Sequence, residues 1–64
     1  MRPEYQTRVI EEKQALDGKL AALEKFIAGS EFAKLDPMER ERLKAQFRAM
    51  RWYSEILYDR IESF

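Results

Sequence analysis

The sequence predicts an all-α fold: an antiparallel two-helix hairpin with a short helical turn at its bend, assembling into a homo-oligomeric helical bundle. Three observations carry this expectation. Apolar residues recur at helical spacing along two long stretches; Pro3, Gly29 and Pro37 mark where those stretches begin and end; and more apolar side chains are present than one hairpin can cover. Residues 1–64 read as a single helical-hairpin domain, with helix one over about 3–28, the turn over 29–35 and helix two over about 36–62.

Helix one opens at Pro3, whose missing N–H costs nothing in a first helical turn, and at Glu4, which suits the positive end of the helix dipole. Tyr5, Val9, Leu16, Leu20, Leu23 and Ile27 then follow at steps of 4, 7, 4, 3 and 4, widened by Ile10 and Phe26. Gly18 interrupts the stripe at a cost of about 1 kcal/mol relative to Ala. Gly29 is expected to end the helix in the left-handed conformation that glycine favours.

Ser30–Leu35 is too short for an independent helix; Ser30 is expected to cap a single turn that tucks Phe32 and Leu35 under the bend. Asp36-Pro37-Met38-Glu39 carries the strongest local signal, a capping Asp, Pro at the first helical position and Glu three residues after the cap, as a capping box requires. Leu43, Phe47, Met50, Leu57, Ile61 and Phe64 continue the second stripe at steps of 4, 3, 7, 4 and 3. Two helices of about 25 residues are each about 37 Å long at 1.5 Å per residue, and their short connection folds them back antiparallel.

One hairpin buries only one side of each helix. Trp52, Tyr53, Ile56 and Tyr58 on helix two, with Ile10 and Phe26 on helix one, lie off the main stripes and would leave a large apolar patch in water. Self-association covers it. A hairpin this small is also expected to offer no concavity of a few hundred Å³ by itself, so any ligand site should lie between subunits.

Composition excludes several functions. Twelve basic and 12 acidic side chains give zero net charge, so strong attraction to duplex nucleic acid or anionic lipid is not expected. No apolar run of about 18 residues is present, and no apolar segment follows Arg2-Pro3-Glu4; neither a membrane span nor a secretory signal is expected. The chain reads as soluble and intracellular. With no Cys and no His, disulfides, tetrahedral zinc and thiol or imidazole catalysis are all removed. Glu11 and Glu12 point about 100° apart and, like Glu39 and Glu41, read as solvated charges. No enzyme activity and no cofactor are expected.

Arg40, Lys44, Arg48 and Arg51 form a basic ridge beside Phe47, Trp52 and Tyr53, a mixture that can hold phosphates and stack bases. The same ridge also reads as a solvated face with Glu41, Glu55 and Asp59 nearby, or as the partner of the acidic Asp17 and Glu24 on helix one and Glu31 just beyond it. Tyr5, with Arg2 and Arg8 within a turn, can stack a base while guanidinium groups meet phosphate, or serve as an interface aromatic. Lys19 lies close to the same face as Tyr5 but about 21 Å further along, within reach of the same small ligand only from a neighbouring antiparallel subunit. Gly18 is either a weak point or a place of close approach. Arg60 answers the helix dipole or, where subunits converge, contributes to a ring for a phosphorylated ligand.

On helix one, Tyr5-Gln6-x-Arg8-Val9, Glu12, Leu16-Asp17-x-Lys19, Leu23 and Phe26-Ile27, and on helix two Met50, Tyr53, Ile56-Leu57 and Arg60-Ile61, resemble a small phage-encoded family over essentially the whole chain. That family is the anti-CBASS cyclic-oligonucleotide sponges. The resemblance implies a compact homo-oligomer, commonly a hexamer, that sequesters bacterial immune second messengers in the cytoplasm of the infected host. It implies cyclic dinucleotides such as 3′,3′-cyclic GMP–AMP between paired subunits, and cyclic trinucleotides in separate pockets where three subunits meet. Tyr5 matches the family's base-stacking aromatic and Lys19 its phosphate-contacting lysine. Gly18 and Arg60 match the Thr and Arg of the trinucleotide pocket, and Gly18 departs from the pattern because it has no hydroxyl to donate. Arg8 joins the candidate site by its position beside Tyr5 rather than by resemblance.

The leading expectation is therefore a non-catalytic sponge that binds these messengers at subunit interfaces and so inhibits CBASS immunity. Two alternatives stand beside it. One is a structural or adaptor hairpin that oligomerises without a small ligand; the other is single-stranded nucleic-acid binding along Arg40–Arg51.

Overall fold

The computed structural model describes residues 2–64. It is all-helical among those residues: α1 spans Glu4–Ala28, α2 Ser30–Ala33 and α3 Pro37–Glu62. The two long helices pack against each other antiparallel, as Lys13 against Ser54 and Tyr5 against Phe64 show. Pro3 stands just outside α1 as its N-cap, with extended backbone, and its carbonyl accepts from the Gln6 and Thr7 amides.

The bend departs from the sequence expectation in three details. Gly29 is extended (φ −89°, ψ 171°) rather than left-handed, because it serves as the cap of both α1 and α2 and steers the chain straight from one into the other. Its N–H closes a tight turn on the Phe26 carbonyl at 3.0 Å. Ser30 is the first residue of α2, not its cap, and its side chain makes no capping bond. Asp36 does cap α3, accepting from the Met38 amide at 3.0 Å, but the reciprocal half of the capping box is missing. Glu39 instead accepts from Arg42 Nε at 2.9 Å, one turn further along.

Phe32 and Leu35 are half-buried under the bend. The Phe32 ring meets Phe26 edge to face with centroids 6.4 Å apart, and the Lys44 ammonium stands 6.0 Å from the Phe32 ring. Aromatic pairing of this geometry contributes about 0.5–1.5 kcal/mol beyond area burial and holds α2 against the end of α1.

The interior is small. Val9, Leu16 and Leu57 form the buried apolar core, with Met50 and Ile61 packed on it. Most of both stripes is only half-buried. The hairpin measures 48 × 15 × 13 Å, and its radius of gyration of 14.7 Å exceeds the roughly 10.7 Å of a compact chain of this length. Its accessible surface of 5059 Å² likewise exceeds the roughly 4,300 Å² expected of a monomer of its mass. Trp52, Tyr53, Ile56 and Tyr58 are exposed, as are Met38 and Phe26. No helix among the described residues is long and apolar enough to cross a membrane.

Candidate functional site

The antiparallel pairing brings the first turn of α1 beside the last turns of α3. There Tyr5, Ile56, Asp59, Arg60, Ser63 and Phe64 line an open groove of about 440 Å³. Tyr5 and Arg60, assigned separate roles from the sequence, thus share one hollow. The Tyr5 ring is 57% exposed and rests edge to face on Phe64, centroids 5.8 Å apart. Ser63, which caps α3, donates its hydroxyl to the Asp59 carbonyl at 2.9 Å. The groove joins an aromatic surface, a guanidinium, a carboxylate and a hydroxyl on a mainly apolar floor. Its aromatic surface and guanidinium suit a planar ring bearing phosphate, which the Asp59 carboxylate opposes.

The other candidate residues lie outside this groove. Arg8 is on the exposed side of α1, paired with Glu4 at 2.7 Å; a surface pair of this kind contributes about 0–1 kcal/mol and releases its guanidinium cheaply. Gly18 and Lys19 are exposed in the middle of α1, about 20 Å from Tyr5 along the axis. A Cβ built on Gly18 would meet nothing within 4 Å, so no close approach within the hairpin requires glycine there.

A second open groove, of about 490 Å³, runs along the seam between Asp17, Leu20, Ala21, Ala28, Arg51 and Ser54 among others. The expectation that one hairpin offers no concavity of a few hundred Å³ is therefore corrected. Two cylinders in side-by-side contact leave a trough on either side of the seam, and the small Ala21 and Ala28 side chains deepen this one. Both troughs are open to solvent along one side.

The ridge on α3 is not neutralised by helix one. None of Arg40, Lys44, Arg48 and Arg51 pairs with Asp17, Glu24 or Glu31 among the described residues. Lys44 pairs instead with Glu41 at 3.5 Å and Arg51 with Glu55 at 3.9 Å, both within α3. Glu31 is taken by Lys34 at 3.2 Å. Arg40 Nε is shielded from solvent without a hydrogen-bond partner.

Asp17 has other partners, Lys13 and Ser54, and sequence reasoning missed both. Lys13 Nζ donates to Asp17 Oδ2 at 2.7 Å and to Ser54 Oγ at 3.0 Å, while Ser54 Oγ donates to Asp17 Oδ1 at 2.6 Å. Ser54 is the one buried polar residue among those described, 8% exposed. The hydrogen bond from Lys13, then that from Ser54, lowers the Asp17 pKa below its ordinary range. A signal for this cluster existed. Each apolar stripe contains one step of 7, from Val9 to Leu16 and from Met50 to Leu57, and the residues that fill those steps are Lys13 and Ser54.

Comparison with known proteins adds two findings. Residues 3–63 match the family model described as Sequestin. An uncharacterized 7.5 kDa protein from the denB-rIIB intergenic region of Enterobacteria phage T4 is 42% identical over 60 residues, which cover 94% of either chain. No solved structure matches.

Proposed function

The chain belongs to the Sequestin family, to which the anti-CBASS sponges that its helix patterns resemble correspond, and from that membership we propose that it captures cyclic dinucleotides without cleaving them. The observation that carries the reading beyond the family's sequestering role is the groove at the free ends of the hairpin, where the exposed Tyr5 ring and Arg60 face one hollow. In this reading a base stacks on Tyr5, and Arg8 and Lys19 answer the phosphates, Lys19 from an antiparallel neighbour. The open troughs are half-sites that a second copy closes. Exclusion of water between protein walls then strengthens each charge-assisted contact.

Several features support this reading. The excess of accessible surface and the exposed Trp52 and Ile56 favour an assembly of several copies, for which a hexamer is the form the resemblance implies. A chain without His or Cys lacks the commonest groups for proton transfer or nucleophilic attack at a phosphodiester. Retention of an intact messenger in the infected cell would starve the CBASS effector that the messenger activates. Cyclic trinucleotides, which the resemblance assigns to pockets of their own, would call on the same Arg60 and go without the hydroxyl that Gly18 cannot supply.

Calorimetry with 3′,3′-cyclic GMP–AMP, followed by recovery of the nucleotide after heat denaturation, tests the proposal. The expected result is saturable heat and recovery of the intact cyclic form. No heat at tens of micromolar protein, or recovery of a linear product, overturns it. The adaptor alternative, favoured by the exposed face of α3 alone, predicts no shift in melting temperature with any cyclic nucleotide.

A further inference from the structure

Lys13 and Ser54 occupy equivalent places in their helices, each filling the seven-residue step of an otherwise apolar stripe. They meet across the seam, with Asp17 closing the cluster at 2.6 Å from the Ser54 hydroxyl and 2.7 Å from the Lys13 ammonium. Resting on the reading that the free-end groove takes the ligand, we propose that this polar layer sets the alignment of α1 on α3. Ser54 is thereby a positioning residue for the groove lined by Tyr5 and Arg60.

The apolar contacts cannot set that alignment alone. Hydrophobic burial is non-directional, and among the described residues only Val9, Leu16 and Leu57 form the buried apolar core of the seam. Rolling or sliding one helix on the other exchanges one aliphatic contact for another. The polar layer does not tolerate such exchange. A slide of one turn sets Ser54 opposite Val9 or Leu16 and turns the Lys13 ammonium onto Met50 or Leu57. A part-buried cation then loses its hydroxyl partner, and a buried hydroxyl loses both of its own. A single polar position in an apolar seam fixes helix register in coiled coils by the same penalty.

The alignment reaches the groove through the helices themselves. Phe64 lies ten residues beyond Ser54, about 15 Å along the axis, and there it meets Tyr5 edge to face at 5.8 Å. A small rotation at the polar layer separates those rings and parts Tyr5 from Arg60.

Full-length protein carrying Ser54→Ala, Ser54→Thr or Asp17→Asn tests this by two readouts: the nuclear Overhauser contact between the Tyr5 and Phe64 rings, and affinity for 3′,3′-cyclic GMP–AMP. Ser54→Ala is expected to weaken the ring contact and to lower affinity about tenfold, within the range that substitutions acting at a distance reach. Ser54→Thr, which keeps the hydroxyl, should preserve both. Asp17→Asn should act in the direction of Ser54→Ala and decides the matter if that variant fails to fold. A Ser54→Ala protein that melts earlier yet keeps the ring contact and the affinity overturns the proposal, because it reveals only a local stabilising contact. If the ring contact responds as expected but the unaltered chain binds no dinucleotide, the alignment is supported and the ligand reading beneath it is overturned.

Discussion

The rings of Tyr5 and Phe64 stand edge to face, centroids 5.8 Å apart and planes at 81°. This contact ties the first turn of α1 to the C-terminal end of α3, so the two free ends of the hairpin do not splay. It steadies Tyr5 while leaving more than half of the residue exposed. A ring held in place but open on one side is preorganised for stacking, because little of its freedom remains to be lost on binding.

Tyr5→Ala should therefore weaken binding of 3′,3′-cyclic GMP–AMP by about 1–3 kcal/mol, the usual contribution of one base stacked on an aromatic side chain. Tyr5→Phe should bind nearly as well, since among the described residues the only side-chain bond at the phenol oxygen is one accepted from neighbouring Gln6 at 3.3 Å on the surface. Phe64→Ala should give a smaller loss than Tyr5→Ala, because the stacking ring remains and only its support is removed. Calorimetric affinities of the three variants check the order; equal binding by Tyr5→Ala and the unaltered chain would remove Tyr5 from the site.

Stability should fall on acidification partly through Asp17. Its folded pKa lies below the ordinary value because Lys13, then Ser54, donates to the carboxylate. A depressed folded pKa contributes stability that is fully present above the unfolded pKa and is lost as pH falls through the folded one. The Asp17 side chain is about half exposed, so solvent screening keeps the contribution modest. Thermal melts from about pH 6 down to about pH 2 should show a shallower acid decline for Asp17→Asn, which starts from a lower melting temperature at neutral pH. Parallel curves for both proteins would show that the carboxylate contributes nothing.

The two long helices were legible in the sequence because their stripes keep helical period over six apolar positions each, and because Asp36-Pro37 and Gly29 punctuate the chain between them. The bend was less legible. Gly29 satisfies a helix end in either of two conformations, and only the demand that it also start α2 selects the extended one. Of the two readings open for the ridge, the structure shows the solvated face for Lys44 and Arg51, which pair with Glu41 and Glu55 on their own helix. It does not show the pairing with helix one, because Asp17 is taken by Lys13 one turn before it and by Ser54, 37 positions on. Tyr5 and Arg60 were each singled out, yet their shared groove emerges only when antiparallel pairing places the first turn of α1 against the last turns of α3. Ser54 was missed because a lone serine in an apolar stripe carries no chemistry until its opposite residue is known to be a lysine.

Gly18 should tolerate a side chain. A Cβ there meets nothing within 4 Å in the hairpin, and alanine is favoured over glycine in a helix by about 1 kcal/mol. Gly18→Ala should raise the melting temperature by about 4–8 °C for a chain of this size. Gly18→Thr, which restores the hydroxyl of the related trinucleotide pattern, should strengthen binding of cyclic trinucleotides while leaving cyclic dinucleotide affinity in place. A fall in melting temperature for Gly18→Ala would show instead that a neighbouring copy packs closely on this part of α1.

Assembly should depend on the face of α3 turned away from α1. Trp52 and Ile56 both lie about 160° round the helix from Ser54 at 3.6 residues per turn, so no folding of one chain on itself can cover them. Trp52 is 68% exposed and is the only tryptophan in the sequence. Trp52→Glu puts a charge at the centre of this patch without touching the seam, so helicity by circular dichroism should hold while the mass measured by light scattering falls towards that of one chain. Because the troughs of a lone hairpin are open along one side, dinucleotide binding should fall with the mass. Retained binding by a single-chain Trp52→Glu protein would place the whole ligand site within one hairpin and leave the second copy without a part in it.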